Sequence, residues 1–240
     1  MKVKIPLTEC SISVIMPVFN EVLLLDPSIH TIDAFLSANF LDYEILIIES
    51  GSIDGSGEVS DRLADSLVHV RVIHEGKKGG YGSALKIGFK NAKKNLLWVV
   101  TADLPFALDH ILTACPLFEK YDCVLSYRVD DNRDMSRKLR SMIYNFLAKI
   151  ILGINVKHVN SAFKVFDRQM VLSLDIISNG WTIDGEIIRE ITLRGISYTE
   201  IPVAIIERSM GQSSITASDP LKMILNLIEV RKKTENVKDV

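Results

Sequence analysis

The chain has 240 residues, 48% of them hydrophobic, with a formal net charge of −2; together with a pI near 6.2 this excludes a whole-protein nucleic-acid binder. That length and apolar content suffice for one large domain with a full core, or for two small ones. Three cysteines, Cys10, Cys115 and Cys123, are odd in number and lack metal-ligand spacing, which fits buried thiols in a reducing compartment.

The elements alternate. Ser11 to Val18 reads as a buried strand and Val22 to Ala38 as a helix. Tyr43 to Glu49 is a second strand, Gly57 to Ser66 a helix, Val70 to His74 a strand, Ser83 to Lys94 a helix, and Leu96 to Ala102 a fourth strand. This β-α order predicts a mostly parallel sheet flanked by helices, and the continuous apolar strands predict burial on both faces. Asp122 to Tyr127 reads as a further strand. Ser136 to Leu152 is an amphipathic helix with Leu139, Ile143, Phe146, Leu147 and Ile150 on one face. Ile183 to Leu193 reads as helix, Tyr198 to Ile206 as strand, and Pro220 to Arg231 as a last helix with proline in its first turn. The chain turns polar from Val230 and is expected to fray there. Without internal repeat or linker, a single domain is expected, its core over residues 10–217 with a C-terminal helix and tail over 218–240. Neither a signal peptide nor an apolar run of the roughly 20 residues that a membrane span needs is visible. A cytoplasmic location follows, with room for peripheral contact at the cytoplasmic face of a membrane.

Ligands of an open parallel sheet sit beyond the carboxyl ends of its strands. Four segments should meet there: Pro17-Val18-Phe19-Asn20-Glu21, the stretch Glu49 to Ser56, Lys77 to Ala84 with its glycines, and Thr101-Ala102-Asp103-Leu104-Pro105. Each has a bland alternative. Asp54 suits a turn or helix cap. The Gly79-Gly80-Tyr81-Gly82 loop suits a tight connection and lacks the Gly-Lys-Ser/Thr of a P-loop. Asp103 suits a cap of the next helix. No G-x-G-x-x-G follows the first strand, so a dinucleotide site is excluded.

Taken in order, these segments resemble those of the family 2 glycosyltransferases, which have the GT-A (nucleotide-diphospho-sugar transferase, Rossmann-like) fold. Within that family they are most similar to the dolichyl-phosphate or polyprenyl-phosphate mannosyl- and glucosyltransferases. Pro17 to Glu21 matches P-x-[YF]-N-E, and Glu49 to Ser56 matches D-D-G-S-x-D-G. Lys78 to Ala84 matches K-x-G-x-G-[ST]-A, and Thr101 to Pro105 stands in the place of D-A-D-L-Q. Val159 to Lys164 matches x-x-S-G-F-K, and Ile183-Asp184-Gly185-Glu186 matches F-[DE]-x-E. Glu200 to Val203 matches E-V-P-I, and Arg208 to Ser213 falls on R-x-x-G-x-S.

The resemblance implies an α/β fold with a mostly parallel central sheet. It also implies an inverting transfer of a hexose from GDP-mannose or UDP-glucose to a polyprenyl or dolichyl phosphate. Pro17, Phe19, Glu21, Glu49, Asp54, Lys78 and Gly82 would line the donor nucleotide. Asp103 would hold Mg²⁺ or Mn²⁺ against the diphosphate, and Arg208 would contact phosphate. Asp184 and Glu186 would act as base or orient the sugar, although two residues apart on a helix they point to different faces. An anionic acceptor needs cations rather than a base. Arg128, Arg133 and Arg137, with Lys138 and Arg140 nearby, and Ser161 and Lys164 would serve it. The cations before an amphipathic helix suit a lipid phosphate at a membrane, or equally an ordinary solvated helix face. The tail with Leu221, Ile224, Leu227, Ile228, Arg231, Lys232 and Lys233 suits anionic lipid or core packing alike.

Departures from the pattern weaken the metal site. Ser50 and Thr101 replace acidic residues, Pro105 replaces glutamine, Ala162 replaces glycine, and His158 replaces an acidic residue; a neutral structural histidine is expected there. A second reading therefore stays open: a catalytically impaired relative that binds nucleotide sugar. A nucleotidyltransferase is disfavoured by the acidic turn after the first strand.

Overall fold

The computed structural model describes residues 10–129, 135–206 and 219–236. One seven-stranded sheet organises them, from β1 (Ser11–Val18), β2 (Asp42–Glu49), β3 (Val70–His74), β4 (Leu96–Val99), β5 (Cys123–Val129), β6 (Lys164–Asp167) and β7 (Tyr198–Ala204). The strand order is β3-β2-β1-β4-β6-β5-β7, and β6 alone runs antiparallel to its neighbours β4 and β5. The expected mostly parallel α/β sheet is therefore present.

Alternation along the strands splits the core in two. Ile12, Val14, Met16 and Val18 of β1 face one layer, and Ile15 faces the other. The first layer packs on α1 (Val22–Asn39), α2 (Ser56–Ser66) and the short α4 (His110–Ala114). The second packs on α3 (Tyr81–Asn91), α5 (Met135–Leu152), α6 (Arg168–Leu172), α7 (Ile183–Leu193) and α8 (Asp219–Asn236). Helices cover both faces, so β2 is buried from Tyr43 to Glu49 without interruption.

Four expectations change. β4 stops at Val99, and Val100 to Pro105 turn away as a loop. β6, only four residues long and opened by a lysine, was not anticipated. α8 continues past Val230 to Asn236, because Val230 and Thr234 are buried and Arg189 Nε donates to Thr234 Oγ1 at 2.6 Å. Most consequential is α5. Its apolar stripe faces outward: Leu139 is 57% exposed, Ile143 50%, Phe146 63% and Ile150 58%. Among the described side chains of this helix, Ala148 and Leu152 alone are fully buried.

Candidate active site at the carboxyl edge of the sheet

The exits of β1 and β2 are sewn together. Asn20 adopts φ 55°; its amide donates to Ser52 Oγ (3.0 Å) and its Oδ1 accepts from the Ile53 amide (3.0 Å). The amide of Glu21 donates to Ser56 Oγ (2.9 Å), and that of Val22 to Asp54 Oδ2 (3.1 Å). Asp54 Oδ1 accepts both the amide (3.0 Å) and the hydroxyl (2.6 Å) of Ser56. One carboxylate thus satisfies orphan amides at the starts of α1 and α2. Burial pushes Asp54 up, but these donors more than reverse it and hold its pKa low. The capping alternative describes Asp54 in this structure.

Glu49 is buried, at the end of β2. Its Oε1 accepts the Ser52 amide (2.5 Å), and its Oε2 meets His74 Nδ1 (2.9 Å), whose Nε2 meets Asp61 Oδ1 (2.9 Å). Any further donor to Glu49 would have to share an oxygen with one of these partners. Against the cost of burial, Ser52 and His74 keep the Glu49 pKa low. Glu49 and then Asp61 raise that of His74.

The loop after β3 closes on the same rim. Lys78 Nζ lies 3.9 Å from the centre of the Phe19 ring, a cation–π contact that joins two expected donor residues; Pro17 and Glu21 flank the same β1 exit. Gly51, at φ 69°, would place a Cβ 2.9 Å from the Lys77 backbone. Glu75, which sequence reasoning missed, ties the loops: one oxygen accepts from Ser50 Oγ (2.7 Å), the other from Ser83 Oγ. The hydroxyl at position 50, where the family pattern has a carboxylate, is therefore partnered by a carboxylate from the loop after β3. Gly82 answers to packing. A Cβ there would lie 2.6 Å from the Ser178 carbonyl, and the Ser83 amide donates to the Asn179 carbonyl (3.2 Å).

Beyond β4, Thr101 Oγ1 donates to Asp103 Oδ1 at 2.5 Å. Thr101 thus orients the carboxylate instead of doubling it. Mg²⁺ is commonly held by one or two carboxylates with substrate phosphates and water, so Asp103 fits such an ion only when a diphosphate supplies the remaining ligands. Among the described residues no cluster of three His, Cys, Asp or Glu side chains forms a metal cage. Two residues past Asp103, the Pro105 carbonyl accepts from the Ile206 amide (2.8 Å). Arg208 lies outside the described residues, as do Arg133 and the side chain of Arg137.

The α7 carboxylates are held by partners inside the fold. Glu186 is fully buried and accepts the amides of Ile177 (2.9 Å) and Ser178 (2.8 Å). Asp184, likewise buried, takes Lys164 Nζ on both oxygens (2.7 and 2.6 Å). The third contact of that ammonium is Tyr81 Oη (3.1 Å). Burial depresses the Lys164 pKa, and the Asp184 carboxylate more than restores it, keeping the lysine charged. In this structure Asp184 and Glu186, expected as a base or to orient the sugar, and Lys164, expected at an acceptor phosphate, are occupied by internal partners: the lysine ammonium has three hydrogens and three contacts. The different directions expected for Asp184 and Glu186 are observed.

Arg128 and Ser161 line a polar cavity of about 110 Å³ with Ser141, Tyr144, His158 and Asn160. Ser161 Oγ is committed, donating to the Phe163 carbonyl (2.6 Å) and accepting the Ser126 amide (2.7 Å), so it too is a pin for the β5–β6 junction. His158 Nδ1 accepts the Arg128 amide (2.9 Å); an accepting nitrogen fits a neutral ring that supports β5.

Residues 13–174, more than half of the chain, match the model of the family "Glycosyl transferase family 2". Glycosyltransferase AglD of Haloferax volcanii is 28% identical over 204 residues, 80% of this chain but 32% of that protein, so the chain spans about a third of the relative. The undecaprenyl-phosphate mannosyltransferase of Micrococcus luteus is 26% identical, over 77% of this chain and 80% of that one. Among solved structures, mannosyl-3-phosphoglycerate synthase from Rubrobacter xylanophilus superposes with a TM-score of 0.71 at 17% identity, covering 95% of this chain and 75% of that one. Glucosyl-3-phosphoglycerate synthase from Mycobacterium tuberculosis, in complex with Mn²⁺, UDP and glucosyl-3-phosphoglycerate, superposes with a TM-score of 0.67 at 16% identity, covering 92% of this chain and 78% of that one. In sequence, and in a single α/β domain of the GT-A type, the chain belongs to glycosyl transferase family 2.

Proposed function

We propose that the protein transfers a hexose from a nucleoside-diphosphate sugar, GDP-mannose or UDP-glucose, to a polyprenyl or dolichyl phosphate at a membrane surface, with inversion at the anomeric carbon. The observation that carries the acceptor half is α5. Its outer side exposes Leu139, Met142, Ile143, Phe146 and Ile150, while Ser141, Tyr144 and Asn145 of the same helix line the polar cavity with Arg128. An apolar surface backed by a polar, arginine-bearing recess suits a lipid whose head is a phosphate and whose tail stays in the bilayer. Lys138, Arg140 and Lys149 on the helix, and Arg231 and Lys232 on α8, supply cations for an anionic surface. No helix among the described residues is long and apolar enough to cross a membrane; the contact in this reading is the peripheral one that α5 offers. The undecaprenyl-phosphate enzyme of Micrococcus luteus supports the same acceptor class.

On the donor side, Phe19 and Lys78 take the nucleotide with Pro17 and Glu21, while Glu49 and Asp54 hold its loops in place. Asp103 holds a divalent cation, which when bound offsets the charge of the departing diphosphate. Arg208 adds a fork for phosphate, and Arg128, Arg133 and Arg137 serve the acceptor phosphate. That acceptor is already anionic and attacks without a general base, in keeping with the commitment of Asp184 and Glu186 to internal partners.

The test is a donor panel with polyprenyl phosphate in vesicles, with Mg²⁺ or with EDTA, beside calorimetry of each donor. The expected result is transfer from one hexose donor, lost with EDTA and reduced by on the order of 100-fold or more in Asp103→Asn, the scale of several kcal/mol of charge stabilisation. Donor binding without transfer would favour the alternative of an impaired nucleotide-sugar binder, which the lone carboxylate at Asp103 also motivates. No binding of any donor would reject both.

A further inference from the structure

The chain has two tryptophans, and they sit in opposite environments. Trp98 on β4 is wholly buried, whereas Trp181, just ahead of α7, is 41% exposed. A single exposed aromatic needs no explanation by itself; the support beneath this one does. Trp181 stacks on Tyr81 with ring centres 4.4 Å apart and planes 15° apart. The Tyr81 hydroxyl in turn takes a hydrogen bond from Lys164, which is locked to Asp184. An ammonium and a carboxylate withdrawn from water stabilise little by themselves, and their best-attested use is to specify one arrangement. Here the arrangement specified is the orientation of two rings.

The loop bearing Trp181 is also held on other sides. Glu186 takes the amides of Ile177 and Ser178, and Lys86 Nζ donates to the Ile177 carbonyl (3.1 Å) and Asn179 Oδ1 (2.7 Å). A side chain on Gly80 would lie 2.4 Å from the Asn179 carbonyl. Glycine at 80 and 82 thus lets the two loops close on each other, and the rings are fixed before any ligand arrives. Their place matters as much. Lys164 stands opposite Val99 in the sheet register, and two and four residues after Val99 come Thr101 and Asp103. Lys164 therefore stands beside the end of β4, from which the loop to Asp103 departs, and Tyr81 and Trp181 are joined to it in turn.

We propose that Trp181 is the platform for the hexose ring of the donor. The proposal rests on the donor reading above and adds the part of the site that would contact the sugar. A pyranose presents one face of C–H groups that water solvates poorly, and the indole face, with its negative quadrupole, is complementary to it. Rigid stacking on Tyr81 lowers the ordering cost of that contact.

The experiment uses the full chain carrying Trp98→Phe, so that Trp181 is the one emitting indole, with wild type run in parallel by calorimetry. UDP and UDP-glucose, and GDP and GDP-mannose, are compared with Mg²⁺ present; members of each pair absorb alike, so a difference within a pair reports the sugar. Emission is expected to change with the sugar nucleotide beyond its change with the diphosphate alone. Trp181→Ala is expected to weaken sugar-nucleotide affinity about tenfold and to leave diphosphate affinity unchanged, with Trp181→Phe in between. Equal affinity of wild type and Trp181→Ala for the sugar nucleotide overturns the platform while leaving the donor reading intact. Equal loss of both affinities reduces Trp181 to a structural role and also overturns it. If wild type binds none of the four nucleotides, the donor reading fails and the platform with it.

Discussion

The two halves of the rim are built on different principles. From β1 to β3 the loops hold one another through short polar side chains: Ser52, Asp54 and Ser56 satisfy backbone amides, and Glu49 and Glu75 bridge strand exits. Around β5, β6 and α5 to α7, the Ser126 and Ser161 hydroxyls pin one strand junction, but a buried ion pair and the buried Glu186 carboxylate that ties down backbone are added to them, beside a cavity and an apolar helix face left open. A nucleoside diphosphate is polar and highly charged, and a loop set fixed by many small bonds can be complementary to it in advance. A surface meant for a lipid cannot be closed in advance, because its partner is the bilayer itself. Under the proposed function, the contrast would separate a preformed donor side from an acceptor side completed on docking.

The sharpest way to break this contrast is to remove the post on the second side. Lys164→Met leaves the Asp184 carboxylate buried and unpaired, and is expected to cost about 3–5 kcal/mol of stability. The double variant Lys164→Met with Asp184→Leu should recover most of that loss, since an apolar pair of similar volume is often neutral. Urea or guanidinium melts of the three proteins measure it. A single variant as stable as wild type would mean that the pair supports nothing, and the Trp181 ring would lose its foundation.

How far the molecule was legible in sequence follows the same division. β1, read as Ser11 to Val18, has those bounds, because a strand buried on both faces is an uninterrupted apolar run flanked by turn residues. β6 escaped notice because four residues opened by a lysine carry no periodicity. Lys164 reads as a phosphate ligand when only its local motif is seen; the carboxylate it meets in the fold lies 20 positions away, across a contact that only the fold creates. The network of Glu75 was missed for the same reason, since a glutamate after an edge strand looks solvated until Ser50 and Ser83 are brought to it. α5 shows the limit of periodicity from another angle. The pattern identified the stripe of Leu139, Ile143, Phe146, Leu147 and Ile150, of which all but the half-buried Leu147 are exposed, but a stripe has no sign: nothing local says whether it faces core or solvent.

The exposed stripe gives the next test. Ile143→Gln with Phe146→Gln changes two residues that are 50% and 63% exposed, so stability should move by no more than about 0.5 kcal/mol. Co-sedimentation with anionic phospholipid vesicles should fall sharply, and nucleotide affinity should not change. If the double variant melts several degrees lower and still pellets with vesicles, the helix packs against protein, and the open half of the comparison is wrong.

The smallest effect belongs to the closed half and concerns His74. Glu49 and Asp61 raise its pKa above the usual value near 6.5. The charged ring therefore contributes stability that is fully present below that usual value and is lost as pH rises through the raised one. Glu49 behaves in the opposite sense. Its pKa lies below the ordinary carboxylate range, so its contribution is present above that range and is lost as pH falls through the lowered value. Between the two lies a plateau. The His74 side chain is 41% exposed and that of Asp61 59%, so solvent screens the pair and the slope should be shallow. In His74→Gln the fall on the alkaline side should disappear, because glutamine bears no charge to lose. The acid side should persist, since the Ser52 amide still grips Glu49. Melting temperature against pH for the two proteins decides the point; superimposable alkaline limbs would show that the Glu49–His74–Asp61 bridge contributes nothing to holding the donor loops.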